Sequence, residues 1–162
     1  MPITVGQPAP TFCLPDEQGQ QHCLEHYRGR PVVLYFYPKD NTPGCTTEAV
    51  GFRDLYDRFQ RAGVVILGVS PDPPERHQRF KQKYALPFPL LADPERRVIS
   101  VYEAWGPKRS FGKVREGVLR KTYIIDPEGR IARIFSKVRP KGHAQQVWDA
   151  LRELGFIPEE EA

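Results

Sequence analysis

The sequence predicts an α/β domain organised around one strand–helix–strand unit. Val32 to Tyr37 is an unbroken run of β-branched, leucine and aromatic residues, and Val64 to Val69 a second apolar run, the pattern of strands buried on both faces. Between them Ala49, Phe52, Leu55, Phe59 and Ala62 recur every three or four residues, one apolar stripe of a helix. Strand, helix and strand at this spacing imply a parallel pair joined by a right-handed crossover. A late strand hairpin followed by an amphipathic helix completes the pattern.

The remaining elements follow in chain order. Thr11 to Leu14 and Gln21 to Leu24 read as a hairpin turning through Asp16 and Gly19. Cys13 and Cys23 lie one on each arm. A cross-strand disulfide is open to them if the register sets them opposite, and small buried hydrophobes are the commoner role. His22, Cys23 and His26 cluster donors within five residues. The two histidines share a face only on a helix, however, and the segment begins as a strand, so no metal site is expected.

Pro38 ends the first core strand. Thr42 is a good N-cap and Pro43 suits the first helical position, where a missing N–H costs nothing. Gly63 is placed to end the helix. Beyond the second core strand, Asp72 and Pro73 open a helix with His77, Phe80 and Tyr84 on one face. His77 and His143 stand alone in sequence and read as helix-surface residues. Pro87 and Pro89 bracket a link to Leu90 and Leu91, and Asp93-Pro94 starts a helical turn running to about Tyr102.

Residues 105–118 read as one long irregular loop. Thr122 to Ile125 and Arg130 to Phe135 are strands joined by the turn sequence Asp126-Pro127-Glu128-Gly129. A last helix over about 142–154 buries Ala144, Val147, Trp148, Leu151 and Leu154, with Gly155 stopping it. Glu159 to Glu161 form a short acidic tail expected to fray. This is the layout of a thioredoxin-like fold with added elements, in one domain over residues 1–162.

Composition narrows the function. The 162 residues are 40% hydrophobic and 27% charged, ordinary for a globular domain, and no apolar run approaches the roughly 20 residues of a membrane span. The start MPITVGQPAP lacks a basic, then apolar, secretory pattern, so a cytoplasmic location is expected. Three cysteines argue against a disulfide-stapled secreted module. The net charge of +4 is spread along the chain, richest in KRSFGKVREGVLRK at 108–121. That stretch reads as a solvated basic loop, with attraction of anionic substrates or partners as the alternative. No nucleic-acid motif accompanies it.

The chemistry centres on Cys45. It falls in the first turn of its helix, where open backbone N–H groups and the positive dipole end favour an anion. The anion is a thiolate. Only that form is a good nucleophile, and helix N-termini bring a thiol from about 8.5 down to roughly 3.5–7.5.

The stretch YFYPKDNTPGCTTEA resembles the active-site loop of the peroxiredoxins, with its Pro, three residues, Thr, two residues, Cys read as Pro38, Thr42 and Cys45. It is similar in particular to the bacterioferritin comigratory protein or peroxiredoxin Q subgroup. FCLPDEQG, VVILGVSPD and GVLRKTYIIDPEGRI fall in that subgroup's order, so the resemblance covers nearly the whole chain. It implies the same thioredoxin-like fold and a peroxidase whose Cys45 thiolate attacks a hydroperoxide, leaving a sulfenic acid.

Four further residues take roles from the resemblance. Arg120 matches an active-site arginine beside the cysteine; without the family it reads as a surface charge at a strand edge. Thr42 is an N-cap whose hydroxyl also hydrogen-bonds a peroxide, and Pro38 shields the pocket from water. Glu48 matches a position that orients the arginine, or is an exposed helix acid. The resemblance implies no cofactor, and a monomer.

The subgroup's resolving cysteine, five residues after the first, is absent: that position is Val50, and residues 73–84 hold none. Recycling by an outside thiol is therefore expected, with thioredoxin, glutaredoxin or glutathione as reductant. Cys13 or Cys23 substitutes only through a large movement. Two rival readings are a thiol–disulfide oxidoreductase, which Thr42-Pro43-Gly44-Cys45 resembles minus its attacking thiol, and a thioredoxin-like binding module or redox sensor.

Overall fold

In the computed structural model, which describes residues 2–157 apart from the Ser110 side chain, a five-stranded mixed sheet divides the core. Its centre is β3 (Val32–Phe36), every residue of which is buried. On one side β3 pairs in parallel with β4 (Val65–Ser70), and β4 with β5 (Leu90–Ala92). On the other it pairs antiparallel with β8 (Lys121–Ile125), which pairs with β9 (Ile131–Phe135), giving the order β5-β4-β3-β8-β9.

The alternation of β3 assigns its two faces. Val33, Tyr35 and Tyr37 pack with Ala49, Phe52 and Phe59 of α1 (Pro43–Arg61), Phe80 of α2 (Pro74–Tyr84), and Val147, Trp148 and Leu151 of α4 (His143–Glu153). Val32, Leu34 and Phe36 pack with Phe12, Leu14 and Leu24 of the N-terminal hairpin, and with Val98, Ile99 and Tyr102 around α3 (Arg97–Val101). That hairpin, β1 (Cys13–Pro15) with β2 (Gln21–Cys23), therefore lies on the face away from α1.

Five expectations change. Leu90–Ala92 is a strand, not a link; it is too short to show a period, and its parallel pairing to Gly68–Ser70 makes it one. The helix expected from Asp93-Pro94 is only Arg97–Val101, because the Asp93 carboxylate accepts from the Arg97 and Ile99 N–H groups and caps a later start. Residues 105–118 are not an irregular loop but a ribbon, β6 (Trp105–Ser110) with β7 (Lys113–Val118). Its turn, Phe111-Gly112, has φ of 52° and 77°, a left-handed pair that suits hairpins but carries no Asn-Gly signal. It forms a sheet of its own, so no core-facing alternation marks it.

Cys13 and Cys23, expected in the commoner role of small buried hydrophobes, are joined in a disulfide. The register places them directly opposite, with Cα atoms 4.0 Å apart, and Cys13 is exposed. The donors around them do not converge on a metal: His22 Nε2 lies 2.8 Å from Asp16 Oδ2 and its Nδ1 2.5 Å from Tyr27 Oη.

Nor are His77 and His143 surface residues; both are buried. Each is tolerated because its ring nitrogens find partners. His77 Nδ1 lies 2.6 Å from Asp40 Oδ2 and Nε2 3.0 Å from the Leu91 carbonyl. His143 Nε2 meets the Thr122 hydroxyl at 2.7 Å and Nδ1 meets Gln146 Oε1 at 3.0 Å, while burial pushes its pKa down, keeping the ring neutral. The acidic tail, Glu159 to Glu161, lies outside the described residues.

Candidate active site

The site forms where β3 ends and α1 begins. Thr42 is the N-cap, Pro43 the first helical residue and Cys45 the third. Thr46 N–H makes the first intrahelical bond, 2.8 Å to Thr42 O, leaving Gly44 and Cys45 N–H without an intrahelical acceptor. These donors and the dipole make the first turn electropositive. Cys45 is 1% exposed and is the chain's one free cysteine.

Arg120, one residue before β8, comes over this turn from the neighbouring strand. Its Nη2 is so close to Gly44 that a Cβ there would stand 2.6 Å away, so a side chain at this position would push the guanidinium aside. Nη1 donates to Glu48 Oε1 at 3.0 Å. Glu48, one turn beyond Gly44, is 1% exposed, not an exposed helix acid. Burial pushes its pKa up to about 7 against the lowering pull of Arg120, and its Oε2 has no partner. A guanidinium is held between a buried acid and the helix start that carries the sulfur.

Thr42 does not cap through its side chain: its hydroxyl donates to Lys39 O at 2.8 Å. That bond closes the turn 39–42 and leaves the oxygen's lone pairs free to accept. Pro38 is half-buried at the start of the same turn. Tyr35, whose hydroxyl is buried without a partner, has its pKa pushed well up by burial and by Glu48 and Cys45 nearby.

Sequence reasoning missed what holds the loop. Asp40 is buried between Tyr37 Oη, which donates to its Oδ1 at 2.6 Å, and His77. Its N–H donates to Asp72 Oδ2 at 2.8 Å, and Ser70 Oγ donates to the same oxygen at 2.7 Å. Asp40, Asp72 and His77 bring ligand-type atoms within 4.8 Å of one another, yet each is already engaged in these bonds. The signal was present in PKDNTPGC, where an acid stands in the turn after a core strand, but its partner lies 37 residues on. Lys108 of β6 was missed too; burial and then Arg120 lower its pKa, while Cys45 raises it.

Residues 5–134 match the AhpC/TSA family. The chain is 44% identical over 154 residues to the peroxiredoxin Bcp of Bacillus subtilis, covering 95% of this chain and 98% of that one. Among solved structures it is similar to the bacterioferritin comigratory protein of Xanthomonas campestris, at 35% identity and a TM-score of 0.86 over 93% of this chain and 99% of that one. A peroxiredoxin Q mutant of Xylella fastidiosa gives 30% identity and a TM-score of 0.89 over 96% and 99%.

Proposed function

The chain belongs to the AhpC/TSA family, among its peroxiredoxins, and from that membership we propose that its thiol peroxidase activity runs through Cys45 by a one-cysteine route. The Cys45 thiolate attacks the terminal oxygen of hydrogen peroxide or an organic hydroperoxide. The S–O bond forms as the O–O bond breaks, and the departing oxygen takes a proton to leave as water or an alcohol. Arg120 and the open N–H groups of the first turn stabilise the charge on the breaking bond, Thr42 receives the peroxide, and Pro38 keeps water out. Glu48 aims Arg120.

Recycling uses an outside thiol, supplied by thioredoxin, glutaredoxin or glutathione. One observation carries this: the two other cysteines are tied to each other on the opposite face of the sheet, so Cys45 has no partner in its own chain. The reducing thiol forms a disulfide with Cys45 as hydroxide leaves as water. A second thiol then releases Cys45. Because Cys45 is 1% exposed, the first turn of α1 opens for this step.

The test is mass spectrometry after one equivalent of peroxide. A sulfenic acid on Cys45, and loss of turnover in Cys45→Ser, are expected. A disulfide between Cys45 and Cys13 or Cys23 refutes the one-cysteine route.

A further inference from the structure

The β6–β7 ribbon carries an unbalanced positive charge on one face. Pairing sets Lys108 opposite Arg115, Ser110 opposite Lys113 and Gly106 opposite Gly117, so Lys108, Lys113 and Arg115 share a face that holds no acid. The other face mixes Arg109 and Glu116 with Pro107, Val114 and Val118. Like charges directly opposed, as Lys108 and Arg115 are, destabilise a strand pair, and a free-standing two-stranded ribbon is marginal already. An arrangement that costs stability without contributing to the core is explained by an anion that binds it.

The strip leads to the sulfur. Lys113 and Arg115 are exposed on the outer half of the ribbon. The Lys108 side chain folds back toward the root, where its Cδ would stand 3.1 Å from a Cβ on Gly117. The ribbon is closed there by Leu119 N–H donating to Ala104 O at 2.7 Å, and the next residue is Arg120, over Gly44. Cations thus run from the ribbon to the turn that carries Cys45. At the tip Phe111 is fully exposed, and Val114 is 60% exposed.

The geometry points to this ribbon as the docking surface for an acidic protein dithiol, the reductant of Cys45. The inference rests on the outside-thiol route proposed above and narrows it to a protein. A strip of separated cations ending in an exposed aromatic residue fits an extended acidic surface; one small carboxylate occupies only a fraction of it. Docked there, the partner holds its nucleophilic sulfur at the ribbon's root. That sulfur attacks Cys45 Sγ, the S–O bond breaks and water leaves, and the partner's second thiol then displaces Cys45, so the partner departs as the disulfide.

The experiment separates the two half-reactions in Lys113→Glu/Arg115→Glu and Lys113→Gln/Arg115→Gln variants. Oxidation of Cys45 by hydrogen peroxide and reduction of its sulfenic acid by dithiothreitol are expected to be unchanged, which also certifies the fold. Reduction by an acidic thioredoxin is expected to fall at least tenfold in the Glu variant and less in the Gln variant, with the difference shrinking at about 0.5 M salt. An unchanged thioredoxin rate, an equal fall with dithiothreitol, or ribbon-dependent binding to anionic phospholipid vesicles with the thioredoxin rate intact would overturn it. Failure of peroxide to oxidise Cys45 at all would instead sink the peroxidase mechanism.

Discussion

Arg120 Nη1 donates to Glu48 Oε1 over 3.0 Å although 72 residues separate them, and the same guanidinium lies against Gly44. One cation therefore serves two sites: an acid that fixes its direction and a helix start that needs positive charge. Removing a donor aimed at developing charge costs about 10²–10³ in rate. Arg120→Ala is expected to slow Cys45 oxidation by that factor, and Arg120→Lys by less, in single-turnover stopped-flow measurements.

Glu48 makes stability pH-dependent. Its folded pKa of about 7 stands above the model-peptide value of 4.5, so the folded protein holds a proton that the unfolded chain has released between those values. The stabilisation relative to the ionised form is fully present below about pH 4.5 and is lost as pH rises through about 7, on the order of 3 kcal/mol in all. Glu48→Gln, always neutral, lacks this slope. Urea unfolding at pH 5 and 8 is expected to show wild type losing ground to the variant as pH rises; parallel curves would refute the assignment.

The Asp40–His77 pair locks the loop before Cys45 to α2 and to the middle of β5. With both side chains buried, removing one strands the other, at about 3–5 kcal/mol. His77→Ala is expected to lose that much in urea unfolding and to raise amide exchange over residues 39–42. A variant as stable as wild type would show that the pair holds nothing.

How much of this was legible depended on whether a residue's partner lay nearby in sequence. β3, β4 and α1 announced themselves because their apolar residues repeat at the period of the element. Cys45 was legible from its neighbours Thr42 and Pro43, and Arg120 only through a family resemblance, since nothing local aims a strand-edge arginine at a helix 72 residues away. His77 reads as a surface histidine until the sheet order brings Asp40 and Leu91 to it. The β6–β7 ribbon hid because only its root, Trp105 and Val118, joins the core, and the rest buries no face. The pairing of Cys13 with Cys23 required the register, which their positions in a hairpin left open.

Tyr35 offers the opposite of a lock. Its hydroxyl is buried with no partner, and its ring lies so near Gly68 that a Cβ there would meet it at 2.9 Å. Tyr35→Phe removes an unpaired polar group and is expected to leave stability unchanged or raise it by calorimetry. Gly68→Ala overpacks the same spot and is expected to cost about 1–3 kcal/mol. In the double variant a small part of that cost is recovered, because Phe lacks the hydroxyl, one of the three atoms crowding the new methyl, but keeps the two ring carbons.

The Cys13–Cys23 bond closes a short loop on the face of the sheet away from Cys45. A crosslink over a sequence separation of 10 contributes up to about 3 kcal/mol through the unfolded chain. Cys13→Ser/Cys23→Ser is therefore expected to lower Tm by roughly 5–10 °C. Turnover with an outside thiol should persist, because this hairpin packs on the sheet face away from α1. A variant that is oxidised by peroxide at the normal rate but is no longer recycled would mean that these cysteines carry electrons to Cys45, and the one-cysteine route would fall with that result.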